Sequence, residues 1–148
     1  MDFTLLSSLP EETRASGERL GRQLRGDEVV LVSGGLGAGK TVFVKGLAAG
    51  LDIPGEEVVS PSYVLMNVYA GRHDLYHFDL YRLGALPGAL ESPLDECIGR
   101  GVLAVEWAQY LDGSYFALPQ AVAVEIAEEG GGRRRVTVRS ALAHIGPG

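Results

Sequence analysis

The 148 residues carry 13 Lys and Arg against 19 Asp and Glu, a formal net charge of −6, and 46% of them are hydrophobic. This balance predicts one domain, residues 1–148, with its own core. It argues against a protein that grips nucleic acid unaided, because phosphate contacts need a basic surface. No apolar run approaches the ~18 residues of a membrane span. The single cysteine, Cys97, excludes an internal disulfide and favours the cytoplasm.

The N-terminal segment predicts a short strand followed by a helix. The strand covers residues 3–6. Ser8 is expected to cap the helix, with Pro10 in the first turn and Glu11 three residues after the cap. The helix is expected to extend to about residue 25. Three of its apolar side chains are expected to face the core: Ala15, Leu20 and Leu24.

A glycine-rich loop between an apolar strand and an apolar helix is the most informative part of the sequence. Residues 34–41 fit the pattern G-x-x-x-x-G-K-[ST] at every fixed position. The apolar run 29–32 precedes them and the apolar segment 42–49 follows. At such a turn the glycines let backbone amides surround phosphates, and the helix amino end adds partial positive charge. The expected nucleotide-binding residues here are Gly35, Leu36, Gly37, Ala38, Gly39, Lys40, Thr41 and Val42.

Lysine usage supports a ligand in this loop rather than an empty glycine-rich turn. Lys40 and Lys45 are the only lysines, and the other 11 basic residues are arginines. A chain that otherwise uses arginine therefore places a compact ammonium group at the loop. Lys40 is expected to reach the β- and γ-phosphates, and the Thr41 hydroxyl is expected to ligate magnesium.

The middle of the chain predicts a hairpin and a central strand. Residues 64–69 and 75–80 are typical of paired strands joined by a short turn. Prolines between residues 82 and 100 permit only short helices. The continuous apolar run 101–105 predicts a buried central strand.

Two alternating segments, 121–128 and 133–139, predict a closing hairpin around a glycine run. The arginine run 133–135 then lies at a solvated hairpin end, unless it touches RNA, which the sequence leaves open. The whole pattern predicts an α/β fold: a P-loop NTPase-like mixed β-sheet flanked by helices, in a single domain.

Two carboxylates follow predicted strands and are candidates for the rest of the site. Asp79 and Glu106 stand at strand carboxyl ends, where the ligand crevice of an open α/β sheet lies. Glu106 is favoured because no basic residue lies near it in sequence. Ser60 and Ser62 form either a hydroxyl switch around a γ-phosphate or a simple Ser-Pro turn. The three histidines are scattered and predict no zinc site.

These segments, in this order, resemble the TsaE family, small bacterial P-loop ATPases that are needed to make threonylcarbamoyladenosine on tRNA. The matching segments are the glycine loop, Val-Ser-Pro-Ser-Tyr at 59–63, Leu-Tyr-His-Phe-Asp-Leu-Tyr-Arg at 75–82, and Glu-Trp at 106–107. The resemblance covers residues 9 to 107 and implies ATP and Mg²⁺ as ligands.

The resemblance also implies roles for individual residues. Lys40 and the loop amides would bind phosphate, and Thr41 and Glu106 would hold magnesium. Asp79 and Ser62, which replaces a family threonine, would belong to the catalytic side, and either could orient the attacking water.

The adenine side would lie at the start of the first helix, near Glu12 and Thr13. The implied partner is the TsaD–TsaB transferase complex, which modifies the adenosine 3′ of the anticodon and holds the tRNA, so that contact with tRNA is mainly indirect. Intrinsic ATP hydrolysis would be weak and stimulated by that partner. The alternatives are a small-metabolite P-loop kinase and a nucleotide-gated binding module with little turnover.

Overall fold

A computed structural model describes residues 2–59, 66–81 and 91–148. Its seven strands form one sheet in the order β1-β7-β6-β2-β5-β4-β3. The strands are β1 (Asp2–Ser7), β2 (Val29–Gly34), β3 (Met66–Tyr69), β4 (Leu75–Asp79), β5 (Val102–Glu106), β6 (Ala121–Glu128) and β7 (Arg134–Ser140). The α-helices of this part of the chain are α1 (Pro10–Gln23), α2 (Lys40–Gly50) and α3 (Glu91–Cys97). Short 3-10 helices cover Gly55–Glu57, Ala108–Tyr110 and Gly113–Ala117.

The centre of the sheet is parallel and its two sides are antiparallel. Strand β2 pairs in parallel with β5 and β6, and β5 pairs in parallel with β4. Strands β3, β7 and β1 add antiparallel pairs. The continuous apolar runs of β2 and β5 suit strands that are buried on both faces. The predicted mixed sheet with helices is therefore confirmed, and the run predicted as a buried strand at 101–105 forms the interior strand β5, next to β2.

Strand β2 divides the core into two layers. Val30 and Val32 pack with Phe43 and Leu47 of α2 on one face. Val29 and Leu31 belong to the layer on the other face. Alternate side chains of a strand point to opposite faces, so both layers hold the strand that leads into the glycine loop. The loop is thus anchored on a rigid support.

Helices α1 and α2 touch through their backbones at glycine positions. A Cβ on Gly17 would overlap the carbonyl oxygen of Phe43, and one on Gly46 would overlap that of Arg14. Gly21 and Gly50, one turn further along their helices, are just as tightly enclosed. This packing holds the start of α1 against the glycine loop, and sequence periodicity did not predict it.

The prediction of a Ser8 cap is wrong. The helix begins at Pro10, and the cap position belongs to Leu9, which offers no side-chain hydrogen bond. The Ser8 N–H instead donates to the Glu12 carboxylate (3.0 Å). The Ser7 hydroxyl donates to the Leu9 carbonyl (2.8 Å). Since proline at the first helical position has no N–H, the end tolerates a cap without an acceptor.

The buried face of α1 also differs from the expectation. Leu20 and Leu24 are buried, as predicted, but Ala15 is exposed. The helix ends at Gln23. Its buried residues are Thr13, Ser16, Gly17, Leu20 and Gly21. Small residues face α2 because the close helix approach leaves no room for larger ones.

Both predicted hairpins are present, β3 with β4 and β6 with β7. The proposed switch serines Ser60 and Ser62 lie outside the described residues, as does the start of the first hairpin at 64–65. Among the helices that the structure describes, none combines the length and the apolar character that crossing a membrane requires.

Candidate functional site

The glycine loop (residues 34–41) joins the end of β2 to the start of α2. Gly37 and Gly39 adopt left-handed backbone angles, with φ of 76° and 103°. Side chains are disfavoured in this region, so glycine is needed at both bends. Gly39 occupies the cap position of α2 and has no side chain to cover the first amides of the helix. The helix therefore presents backbone N–H donors and the positive end of its dipole at the loop.

The Lys40 side chain contacts both the glycine loop and Trp107. Its ammonium group donates to the carbonyl oxygens of Gly34 (3.1 Å) and Gly35 (2.5 Å). It also lies 3.9 Å from the centroid of the Trp107 ring. Burial lowers the pKa of Lys40, while the nearby carboxylates of Glu106 and Asp79 act in the opposite direction. The loop thus holds a partly desolvated cation whose present acceptors are mostly neutral.

Thr41 and Glu106, the predicted metal pair, are brought together. The Thr41 hydroxyl donates to Oε1 of Glu106 (2.8 Å). Strand pairing aligns Glu106 with Val32, which places its carboxylate beside the loop, and its side chain is buried. A hydroxyl and a carboxylate are the hard oxygen donors that Mg²⁺ takes together with phosphate oxygens and water. The donor set therefore fits magnesium.

His77 is a partner of Glu106 that the sequence did not reveal. Its Nε2 lies 2.6 Å from Oε2 of Glu106, and its side chain is completely buried. Its Nδ1 has no hydrogen-bond partner among the described residues. A proton on Nδ1 would be buried without an acceptor, so we assign the proton to Nε2, which donates to Glu106. No basic residue lies near Glu106 along the chain, but β4 lies next to β5 in the sheet and brings His77 to it.

Asp79 ends β4 directly beside Glu106 in the strand register. Burial raises the pKa of Asp79, the N–H of Tyr81 opposes this by donating to its carboxylate (3.0 Å), and Glu106 raises it further. Asp79, Glu106, Lys40 and Thr41 all line one cavity of about 390 Å³. Four of the five predicted catalytic and metal-binding residues thus converge, and the predicted nucleotide-binding residues Leu36, Gly37, Gly39 and Val42 line the same cavity. The fifth, Ser62, belongs to the part of the chain outside the described ranges.

An aromatic row borders this cavity. The rings of Tyr81 and Trp107 are 4.8 Å apart, and those of Trp107 and Tyr110 are stacked at 5.6 Å. Tyr81 and Tyr110 are exposed, with 49% and 46% of their surface accessible. Trp107 takes a left-handed backbone angle (φ 61°) immediately after Glu106. Tyr81 and Trp107 line the cavity, so this end of the row forms part of its rim.

A second cavity of about 240 Å³ lies on the other side of the loop, against the start of α1. Thr13 lines it together with Leu9, Val42 and Arg134. Glu12 is not among the lining residues. It is exposed, and its carboxylate accepts the Ser8 N–H. The structure thus places Thr13 beside the loop, and ligand contacts of both Thr13 and Glu12 stay predictions.

Arg134 corrects the expectation of a solvated hairpin end. Arg133 is exposed, and Arg135 pairs with Glu129 at 2.6 Å. Arg134 instead donates from Nε to the Ala38 carbonyl (3.0 Å) and from Nη2 to the Gly37 carbonyl (3.2 Å). Strand β6 runs parallel to β2, so the turn after it lies at the same edge as the loop. Strand order, which spacing does not predict, brings this arginine to the site.

Comparisons with known proteins agree with this arrangement. A family model described as "Threonylcarbamoyl adenosine biosynthesis protein TsaE" matches residues 7–136. A protein named tRNA threonylcarbamoyladenosine biosynthesis protein TsaE from Treponema pallidum (strain Nichols) is 40% identical over 135 residues, which cover 90% of this chain and 97% of that protein. One of the same name from Mycobacterium leprae (strain TN) is 45% identical over 107 residues, 66% of each chain.

The fold comparison gives the same result. The crystal structure of YdiB from "Bacillus subtilus" matches with a TM-score of 0.72 and 32% sequence identity, covering 96% of this chain and 87% of that one. The predicted P-loop NTPase-like α/β fold is thereby confirmed. With a family model matched over most of its length and relatives at this level of identity, the chain belongs to the TsaE family.

Proposed function

We propose that this protein binds ATP with Mg²⁺ in the glycine loop and hydrolyses it, as a subunit that acts in tRNA threonylcarbamoyladenosine biosynthesis. The observation that carries the proposal is the convergence of Lys40, Thr41, Asp79 and Glu106 on one cavity at the start of α2. The names of its relatives support the pathway. The chemistry is argued from the residues themselves.

The loop supplies phosphate binding. The amides at the start of α2 are donors without a side-chain cap, and an anion at that position is favoured by the helix dipole. The Lys40 ammonium now donates to two neutral carbonyls. Phosphate oxygens are stronger acceptors because they are charged, so Lys40 would turn to the β- and γ-phosphates when ATP binds.

Thr41 and Glu106 would hold Mg²⁺, which when bound neutralises the negative charge on the β- and γ-phosphate oxygens. Glu106 has about four acceptor positions on its two oxygens. Thr41 and His77 use two of them. His77 fixes the orientation of the carboxylate from the buried side, and the remaining acceptor capacity suits a cation.

Asp79 is our candidate for positioning the attacking water. It lies beside Glu106 and lines the same cavity. Burial raises the pKa of Asp79, which makes its ionised carboxylate a stronger proton acceptor than an ordinary aspartate. Ser62 is the other candidate for this role.

The partner that we propose is the TsaD–TsaB transferase complex. The net charge of −6 suits a subunit that acts through protein contacts while the transferase holds the tRNA. Of the described residues that line the cavity around Lys40, none is an arginine. In related enzymes an arginine supplied by a partner raises hydrolysis about 10³–10⁵-fold, so slow intrinsic turnover that the transferase stimulates is expected here.

The test compares Lys40→Ala with Lys45→Ala, which removes the only other lysine of the chain. Isothermal titration with ATP and Mg²⁺ should show wild-type affinity for Lys45→Ala and a large loss for Lys40→Ala. Hydrolysis by Lys40→Ala should fall about 10²–10³-fold. Equal behaviour of the two variants, or no ATP binding by the wild type, would overturn the nucleotide site.

Two further measurements test the pathway. Purified TsaD–TsaB should raise ATP hydrolysis several-fold, and an unchanged rate would remove that partner from the proposal. Depletion of the protein in its native organism should lower threonylcarbamoyladenosine in tRNA, as determined by mass analysis of nucleosides. An unchanged level of the modified base would overturn the proposed role.

A further inference from the structure

We propose that Arg134 is a positioning residue that holds the glycine loop in its ligand-binding shape, which makes the β6–β7 hairpin part of the phosphate-binding apparatus. The inference deepens the proposed function and rests on it in one respect: the ligand of the loop is taken to be a polyphosphate. The hydrogen bonds and backbone angles of the loop itself carry the rest.

The guanidinium group of Arg134 donates hydrogen bonds to two consecutive carbonyl oxygens of the loop. Its Nε donates to Ala38 and its Nη2 donates to Gly37. A guanidinium group presents its donors in a fixed planar fork, so two adjacent contacts set both position and orientation. Glu128, directly opposite Arg134 in the strand register, lies 3.7 Å from Nη1, which is a long ion pair, and Nη1 has no hydrogen-bond partner among the described residues.

These contacts decide which way the loop amides point. In a planar trans peptide the carbonyl and the next N–H point in opposite directions. Holding the Ala38 carbonyl toward Arg134 therefore turns the Gly39 N–H to the other side of the loop. Holding the Gly37 carbonyl in the same way supports the turn in which the Ala38 N–H donates to the Gly35 carbonyl (3.2 Å).

The loop needs such a restraint because of its composition. Gly37 and Gly39 flank the contact and both have positive φ. Glycine reaches many backbone conformations at similar energy, so a loop with glycine on both sides of Ala38 loses much conformational entropy when it binds a ligand. A contact that orders the loop beforehand reduces this cost and raises affinity.

A direct contact with a ligand is the competing explanation, because Arg134 also lines the cavity beside α1. The two explanations differ in their ligand requirement. A residue that orders the loop affects any polyphosphate and also the ligand-free loop. A residue that contacts a nucleoside affects only ligands that carry one.

The experiment compares Arg134→Ala and Arg134→Lys with Arg133→Ala. Arg133 is the adjacent, exposed arginine, so its removal changes the net charge equally. Each variant is titrated with Mg²⁺-ATP and with inorganic tripolyphosphate. Amide hydrogen exchange of residues 35–41 is measured without any ligand.

Arg134→Ala should weaken the binding of both ligands by about 10-fold, the effect of losing two hydrogen bonds that order the loop. It should also speed amide exchange in the ligand-free loop. Arg134→Lys keeps the charge but loses the fork, so its affinity should fall about threefold. It carries the test even where Arg134→Ala is poorly folded. Arg133→Ala should match the wild type in both measurements.

Three results would overturn the inference. Equal losses for Arg133→Ala and Arg134→Ala would show an effect of charge alone. Weaker binding of ATP with unchanged binding of tripolyphosphate would indicate contact with the nucleoside. Unchanged amide exchange in Arg134→Ala would show that the loop holds its shape without this side chain. If the wild type bound neither ligand, the proposed function would fail, and amide exchange alone would still decide whether Arg134 orders the loop.

Discussion

Two buried glutamates, Glu28 and Glu106, make the same contact in two different regions. Each is almost fully inaccessible, and each has a carboxylate oxygen 2.6 Å from the Nε2 of a histidine. Glu28 immediately precedes β2, whereas Glu106 ends β5, which pairs in parallel with β2. They therefore lie at opposite ends of two adjacent parallel strands. Their remaining partners decide what each one does.

Glu28 is saturated by the backbone. Its carboxylate accepts the N–H groups of Arg25 (2.8 Å), Gly26 (2.9 Å) and Asp27 (3.1 Å) besides His144. Burial alone would raise the pKa of Glu28, but these hydrogen bonds hold its pKa below the usual value. Glu28 thus ties the turn after α1 to the C-terminal segment, and it has no acceptor capacity to spare for a ligand.

Glu106 has a different set of neighbours. Within the described residues its carboxylate accepts only side-chain donors, from Thr41 and His77. Lys40 and Asp79 share its cavity. Burial and a histidine partner are common to both carboxylates, so they do not distinguish a ligand site. Spare acceptor capacity at the carboxyl ends of the parallel strands is found at Glu106 alone of the two and suits its proposed role in holding a cation.

The largest effect is expected from Glu106→Gln. Hydrolysis of ATP with Mg²⁺ should fall about 10²–10³-fold, because a neutral amide holds the cation poorly. ATP binding measured in EDTA and the melting temperature should stay close to wild type. Glu28→Gln is the matched control and should hydrolyse ATP normally. Equal losses of binding and hydrolysis in Glu106→Gln would make Glu106 a structural residue like Glu28.

Glu28→Ala should show the opposite profile. Removing this carboxylate leaves three backbone amides and His144 without their acceptor, so the free energy of unfolding should fall by about 3 kcal/mol. ATP affinity of the folded fraction should not change. Urea denaturation measures the loss, with the exposed Glu11→Ala as control. A stability equal to that of the control would contradict the structural role of Glu28.

Substitutions of the two histidine partners, His77 and His144, should show the same contrast with smaller effects. His77→Gln should lower the affinity for Mg²⁺ in the presence of ATP about 10–100-fold, since residues that orient metal ligands typically contribute this much. His144→Gln should leave that affinity intact and lower stability by about 1 kcal/mol. Magnesium titrations at fixed ATP distinguish the two variants. A shift in the magnesium titration with His144→Gln would remove the contrast between the two pairs.

Acid sensitivity gives the finest test. The pKa of Glu28 is lower in the folded protein than its ordinary value of 4.5. Its stabilisation is therefore fully present above about pH 4.5 and is lost as the pH falls through the lower, folded-state pKa. As the pH falls below about 4.5, stability should therefore fall more steeply in the wild type than in Glu28→Gln. The free energy of unfolding is measured by urea denaturation at each pH. If it fell equally steeply with pH in the two proteins, Glu28 would not be the group responsible.

Much of the fold and site could be predicted because the signals were local. The glycine loop, the apolar runs of β2 and β5 and the turns of both hairpins each lie within a few consecutive residues. Asp79 and Glu106 followed from one general rule, that parallel strands carry ligands at their carboxyl ends. Two predictions based on local signals were wrong. The cap position of α1 belongs to Leu9 and not to Ser8, and Ala15 faces solvent.

The glycine loop, the strands along the chain and the acidic residues that follow them could be read from the sequence alone, since backbone geometry links neighbouring residues directly. Only the tertiary structure decided which distant side chains support them. His77 meets Glu106 across 29 positions, and Arg134 reaches the loop across 96. Both contacts depend on strand order and on how closely elements pack, and periodicity along one element carries no information about its neighbours in space.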